Sequence, residues 1–515
     1  MGRLRDETLN GAKWLMLQKA TLQPLQLLFS MVLARLITPA EMGILGLTAI
    51  FFAVASQLAS SGFGAALIRK IDRTEADINT MFWFNAGMSL LMALCLGIAA
   101  PWFAEFFHQP ALVPLTRVSA GMMFLNSFAG VHWTLYTCRR DFKTPALIQG
   151  TVAILSMPLC ITLAYMGWSY WSLVMQGVFS GVLQLVIVWY VSPWKPRLLF
   201  SWISFKELFG FGSKLAASGL LWVIYSNLRT FIIGKFYSPA DLGLYTRGAH
   251  TAALVPETIG CMLDSVSYPI LATVQNDDER LLVAYRKYIC VCTMALTWGC
   301  LLLCALAKPL VLLMFGEKWL LCVPFVQVVS LSSAFHHVSV VNLNLLKVKG
   351  RSDLFLRLEI IKRVLSIGMI LYAASISVLA ICWICVIYTQ IGIFINSYYT
   401  GKIIKLTWWQ QQKDYLPYAL LAAITTLPAW LCAYAPVAFW FPVAEGAPLS
   451  AALYYGAVVA QVGVGGLLSA GLYFGILHWR RDAAYMELLR CVRGNEKLMR
   501  FGIIRRWCRI AGEAS

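Results

Sequence analysis

Charge is what this chain has least of: Asp, Glu, Lys and Arg together make up 13% of its 515 residues, about half of the ~25% that soluble domains carry. With 59% hydrophobic residues and a mean hydropathy of +0.70, that scarcity excludes a chain that solvates itself in water. Long polar stretches are missing too. None of those between the apolar runs is large enough for a soluble catalytic domain of ordinary size. The alternation in ~10-residue segments that marks a membrane-spanning strand barrel is also absent. Acids are scarcer than bases, 24 against 42, which leaves a formal charge of +18.

What is present instead is a succession of apolar runs, each long enough to cross a ~30 Å hydrocarbon core as helix. They cover approximately residues 12–36, 42–68, 80–101, 115–136, 146–166, 169–191, 208–236 and 242–270, and then 285–307, 322–346, 356–374, 377–400, 415–435 and 450–477, the length each needs being about 20 residues. The expected fold is therefore an all-α polytopic membrane protein of about fourteen spans. Met1–Lys13 reads as a retained cytoplasmic start, because the first apolar run is too long for a signal peptide and lacks a small-residue cleavage site. With that end inside, most Lys and Arg fall on inside segments, including Arg69, Lys70, Arg73, Arg139, Arg140, Lys143, Lys347, Lys349 and Arg351. Both termini are then cytoplasmic by the positive-inside rule. Arg480–Arg509 has the spacing of a basic amphipathic helix lying on an anionic leaflet. Cations placed this way argue against nucleic acid as the partner.

The fourteen cysteines are scattered through apolar runs, where small buried hydrophobes are expected. Cys382 and Cys385 form a CxxC with no second pair and no neighbouring His, so no metal or redox site is read there. Asp277 and Asp278 stand on a short inside loop and are read as solvated.

An internal repeat at a spacing of 200 residues brings Arg35-Leu-Ile-Thr-Pro-Ala-Glu-Met-Gly43 onto Lys235-Phe-Tyr-Ser-Pro-Ala-Asp-Leu-Gly243. Its pattern is a helix restart, with Thr38 or Ser238 as cap, Pro39 or Pro239 in the first turn, and Glu41 or Asp241 closing a capping box. The acids are therefore read as caps. An even number of spans separates the copies, so the halves have the same orientation, related by an axis along the membrane normal. The expected division is an N-lobe over 1–200, a C-lobe over 201–405, a terminal helix pair over 406–478 and the basic tail over 479–515.

Ionisable residues inside spans are expensive, about 2.5 to 3.5 kcal/mol each on insertion scales, and face a partner or a watery cavity. Lys19, Gln23, Gln26 and Ser30 share one face of the first span, and Lys214, Ser218, Tyr225 and Arg229 repeat the pattern on the seventh. The eighth adds Arg247, His250, Glu257 and Asp264. The expected substrate contacts are Lys19, Lys214, Arg229 and Arg247 as cations, with Gln23, Gln26 and Tyr225 on the polar face. Glu257 and Asp264 are candidates for coupling to a proton or sodium gradient, or else simply pair with Arg229 or Arg247 to lower the cost of burial. No catalytic residue, metal site or cofactor is expected. Glu359, Lys362 and Arg363, at i, i+3 and i+4, are read as local pairs that snorkel to the inside interface. His336, His337, Asn342 and Asn344 are read as interhelical hydrogen-bonding groups.

Several motifs carry a family resemblance. They are Asn10-Gly-Ala-Lys-Trp14, Val32-Leu-Ala-Arg35, Ser61-Gly-Phe-Gly64 with Ile68-Arg-Lys70, Phe82-Trp-Phe-Asn85, Tyr268-Pro-Ile270 with Gln275-Asn-Asp-Asp278, and Phe315-Gly-Glu-Lys-Trp319. On these the chain resembles the Wzx-type polysaccharide flippases of the multidrug/oligosaccharidyl-lipid/polysaccharide exporter superfamily, in the branch that includes the colanic acid exporter. The resemblance implies fourteen helices in two six-helix lobes plus a terminal pair. It further implies alternating access in the bacterial cytoplasmic membrane and an undecaprenyl-diphosphate-linked oligosaccharide as substrate, with a polysaccharide polymerase among the assembly partners. The alternative within the superfamily is a cation-coupled drug antiporter, which calls for acids rather than cations along the cleft. A membrane polymerase or ligase of lipid-linked sugars is a third reading, and it calls for a large outside loop that the sequence does not have.

Overall fold

The computed structural model describes residues 2–260, 271–436, 440, 451–486 and 489. Among them there is no strand, and helix occupies all fourteen places where a span is expected. In chain order the helices are α1 (Gly2–Leu36), α2 (Pro39–Ser60), α3 (Phe63–Arg69), α4 (Glu75–Phe106), α5 (Leu112–Cys138), α6 (Lys143–Tyr165), α7 (Trp171–Val191), α8 (Trp202–Phe236) and α9 (Pro239–Val255). There follow α10 (Asp278–Ala305), α11 (Ala307–Phe315), α12 (Val323–Val348), α13 (Ser352–Ala374), α14 (Val378–Ile404), α15 (Trp408–Tyr434) and α16 (Ala451–Trp479). Ten helical segments are long and apolar enough to cross a membrane. The other four places are filled by α1, α5 and α13, whose polar side chains, Lys19, Arg117 and Lys362 among them, lower their hydropathy, and by α9, which is 17 residues long. Asp264, Tyr268–Ile270 and most of the expected amphipathic tail lie outside the described residues.

The chain forms two compact units, Met1–Thr246 and Arg247–Ser515. In the first, α4 packs on α5, α6 on α7, α1 on α6 and α2 on α8. Phe63 and Leu67 of α3, Met81 and Phe82 of α4, Leu135 of α5 and Leu208 of α8 form one buried cluster. The repeat is the helix restart its sequence suggests. Thr38 N–H donates to Glu41 Oε2 at 2.7 Å while Glu41 N–H donates to Thr38 Oγ1 at 3.4 Å, and Ser238 and Asp241 reproduce the exchange at 3.3 and 3.1 Å. Orphan N–H groups at two helix starts are satisfied in this way.

The two restarts also meet. A Cβ on Gly43 would lie 1.8 Å from the Pro239 carbonyl oxygen, and one on Gly243 would lie 1.8 Å from the Pro39 carbonyl oxygen. Each motif thus offers the glycine that the other motif's backbone needs, a reciprocal contact. Below it α2 and α8 run antiparallel along a seam of glycines: Gly234 against Leu47, Gly219 against Gln57, and Gly212 against Ser61 and Gly62. Small residues let membrane helices approach to backbone distance, where dispersion replaces the hydrophobic drive that lipid does not supply.

In the second unit α10, α12, α14 and α15 surround a buried polar network. The Tyr285 hydroxyl lies 2.7 Å from Asn342 Oδ1 and 3.1 Å from Gln411 Oε1. Gln411 Nε2 donates to the Ser397 carbonyl at 3.0 Å, and His337 Nε2 sits 2.8 Å from Thr293 Oγ1. Asn342 and His337 are thus interhelical groups. Tyr285→Phe leaves buried acceptors unpaired and is expected to cost about 1–3 kcal/mol, read as a lower thermal unfolding midpoint in detergent. An unchanged midpoint would show that the network is not holding these helices together.

Candidate functional site

The candidate residues divide between the two units. On α1, Lys19, Gln23 and Gln26 are all exposed, on a helix that carries Pro24 in its interior and packs on α6 through Leu33 and the adjoining Ile37 against Cys160. At about 100° per residue they and Ser30 fit within an arc of about 60°. On the opposite flank Gln18 Nε2 donates to Gln149 Oε1 at 2.7 Å. The fold therefore uses other side chains of α1 for contact and leaves Lys19, Gln23 and Gln26 exposed, while Ser30 is half-buried and makes a contact of its own.

Helix α8 has three distinct faces. Gly212, Gly219 and Gly234 span an arc of about 60° and make the seam with α2; Lys214, Ser218, Tyr225 and Arg229 span another of about 60°, roughly 130° around the axis. Lys214 and Ser218 are exposed, while Tyr225 and Arg229 are half-buried and make contacts of their own. Among the described residues neither Lys19 nor Lys214 makes an ion pair or hydrogen bond. Such a charge within a membrane-spanning helix needs a polar medium or an anion beside it.

In the second unit, Arg247 of α9 is 8% exposed, its guanidinium 4.8 Å from the Phe315 ring and 5.1 Å from the Trp319 ring. The rings' negative faces lower the cost of burying the cation. Glu257 is exposed, in a π-helical turn over Pro256–Gly260. Asp264, the other coupling candidate, falls outside the described residues.

Two charged groups sit differently from the sequence expectation. Lys362 pairs with Glu359 at 2.5 Å, and Arg363 pairs with the same carboxylate at 3.3 Å, as the spacing suggests. Lys362 is only 4% exposed, however, lying over Gly392 of α14, so it is buried rather than snorkelling. Lys70, read from sequence only as an inside-loop cation, bridges Asp77 at 3.0 Å and Glu207 at 2.8 Å, tying the end of α3 to both α4 and α8. Its hydrogen bond to Glu207 is the main reason its amino group titrates above the ordinary lysine range. A raised lysine pKa contributes stability below the ordinary value and loses it only at more alkaline pH, so this bridge is charged throughout the physiological range.

Residues 32–324 match the model of the family described as polysaccharide biosynthesis protein. The chain is 24% identical over 413 residues to the teichuronic acid biosynthesis protein TuaB of Bacillus subtilis, covering 79% of this chain and 85% of that one. It is 23% identical over 438 residues to the lipopolysaccharide biosynthesis protein WzxC of Escherichia coli, covering 84% and 88%. Among solved structures, the lipid II flippase MurJ in an inward closed conformation superposes with a TM-score of 0.67 at 12% identity, over 91% of this chain and 99% of MurJ; the two share a fold. Since the family model covers more than half of the sequence, this multi-pass membrane protein belongs to the polysaccharide biosynthesis protein family.

Proposed function

We propose that the chain is a flippase that carries an oligosaccharide repeat unit, linked through diphosphate to a polyprenyl lipid, across the bacterial cytoplasmic membrane for surface polysaccharide assembly. The observation that carries the reading is the cationic face of α8, with Lys214 exposed and unpaired among the described residues and half-buried Arg229 about four turns further on. A diphosphate is the anion such a face attracts, and charge-assisted contacts to it strengthen where water is scarce. The polar face of α1, with Lys19, Gln23 and Gln26, suits the sugar hydroxyls that must follow. Two relatives named for teichuronic acid and lipopolysaccharide biosynthesis, and a shared fold with a lipid II flippase, support the same class of cargo. The distribution of Lys and Arg supports cytoplasmic termini, and Glu257 is the described acid available for coupling to a proton or sodium gradient. A polymerase on the far side would take up the delivered unit.

The experiment is translocation in proteoliposomes that carry a fluorescent polyprenyl-diphosphate oligosaccharide in one leaflet, read by accessibility of the headgroup from the other, with efflux of a cationic dye measured in parallel. Headgroup transfer without dye efflux is expected. Dye efflux alone, under either ion gradient, would reject the flippase in favour of the antiporter.

A further inference from the structure

The first unit holds a half-open cavity of about 450 Å³ between α2, α4 and α8. It is walled by Phe51 and Leu58 of α2, Leu96 and Phe103 of α4, and Leu228 and Phe231 of α8. One end is stopped by aromatics: Phe51 stacks on Phe103 with centroids 3.9 Å apart, and Phe107 meets Phe231 edge-on at 5.7 Å. Polar groups are nearly absent. Asn227 reaches the wall, but its amide nitrogen donates to the Val223 carbonyl of its own helix at 2.9 Å, and the other lining side chain with a polar atom is Cys95.

A cavity of this size and lining does not hold water, because ordered water needs two to four polar partners. Left empty, its walls would forfeit dispersion contacts. The neighbouring medium of a membrane-spanning helix is hydrocarbon, so the filler is a hydrocarbon chain. Which chain is decided by α8. The wall residues Ile224, Leu228 and Phe231 lie about 120° around the helix from Tyr225 and Arg229 and at the same level along it. A bulk phospholipid keeps its phosphate at the membrane interface. Arg229 lies seven residues before the end of α8, about 10 Å along the axis, so a ligand whose phosphate reaches it has its tail beside α8 at that depth.

We propose that this cavity binds the polyprenyl tail of the transported lipid while the cationic face of the same helix holds its diphosphate. The assignment rests on the flippase reading for the identity of the lipid, and its test needs no translocation. A diazirine-bearing polyprenyl phosphate is photolysed in proteoliposomes of the full chain and the labelled peptides are mapped by mass spectrometry. A diazirine phosphatidylglycerol at the same mole fraction is the second arm. Labelling concentrated in residues 51–58, 92–103 and 224–231, suppressed several-fold by unlabelled undecaprenyl phosphate but not by phospholipid, is the expected result. Filling the cavity with Ala99→Phe, or from its exposed rim with Cys95→Trp, removes that labelling several-fold in protein whose unfolding midpoint is unchanged. Equal labelling of these peptides by both probes, or labelling that survives both substitutions, overturns the tail site. If headgroup transfer then still occurs, only the tail site is lost. If the peptides are labelled and no headgroup moves, the tail site stands and the flippase reading falls.

Discussion

Arg229→Gln lowers the initial rate of headgroup transfer by about 10- to 100-fold, the loss expected when one charge-assisted hydrogen bond to phosphate, worth about 1.5–3 kcal/mol, is removed. Lys214→Gln has the same sign, and the double substitution is the more severe, because a diphosphate offers acceptors to both. Arg229→Lys restores part of the rate: it keeps the charge but loses the planar fork that engages phosphate through two parallel bonds. The measurement is headgroup accessibility in proteoliposomes, alongside the unfolding midpoint of each variant. Arg229→Gln protein that transfers the headgroup at the wild-type rate would remove the cationic face of α8 from the transport path.

Gly43→Ala and Gly243→Ala are expected to be nearly as damaging by a different route. Each places a methyl group 1.8 Å from a carbonyl oxygen of the opposite proline. No rotamer relieves such a clash, because the obstructing atom is backbone. The two helix starts must separate, at a cost of about 3 kcal/mol for each substitution. Because both residues serve one contact, the pair is expected to be markedly less than additive. Unfolding midpoints of the two single variants and the double variant supply the cycle. Additive losses would mean that each glycine is needed for its own helix and not for the meeting of the two.

Much of the architecture is legible in the sequence because lipid imposes a simple demand. Every backbone group must be satisfied within its own segment, so apolar length predicts helix wherever it recurs. The restarts at Thr38 and Ser238 are readable for a similar reason, since cap chemistry is local. That the two restarts hold each other is not readable: Gly43 and Gly243 look like any of the 37 glycines until their partners are in place. Arg229 and Arg247 are also alike in sequence, two cations in successive spans. Only tertiary structure sets Arg247 under the Phe315 and Trp319 rings while Arg229 stays on the same face as exposed Lys214 and Ser218. Lys362 misleads in the opposite sense, because spacing predicts its Glu359 partner but not the cover that α14 provides. The cavity leaves no trace at all in the sequence. Phe51, Leu96 and Phe231 are as apolar as residues that face lipid, and hydrophobicity does not distinguish a void from bulk hydrocarbon.

Helix α8 has no face to spare: one side is the glycine seam, one the cavity wall and one the row of cations. Its length is therefore constrained more tightly than its composition. A single inserted residue between Lys214 and Arg229 turns everything beyond it by about 100°, carrying Arg229 off the cationic face and Gly234 out of the seam. An insertion of seven residues turns it by only about 20°, but it lifts the outer half by about 10 Å and separates Gly234 from Leu47. Divergence in this protein is thus expected to proceed by exchange of residues along α8 at constant length, with insertions and deletions confined to the loops that precede and follow it.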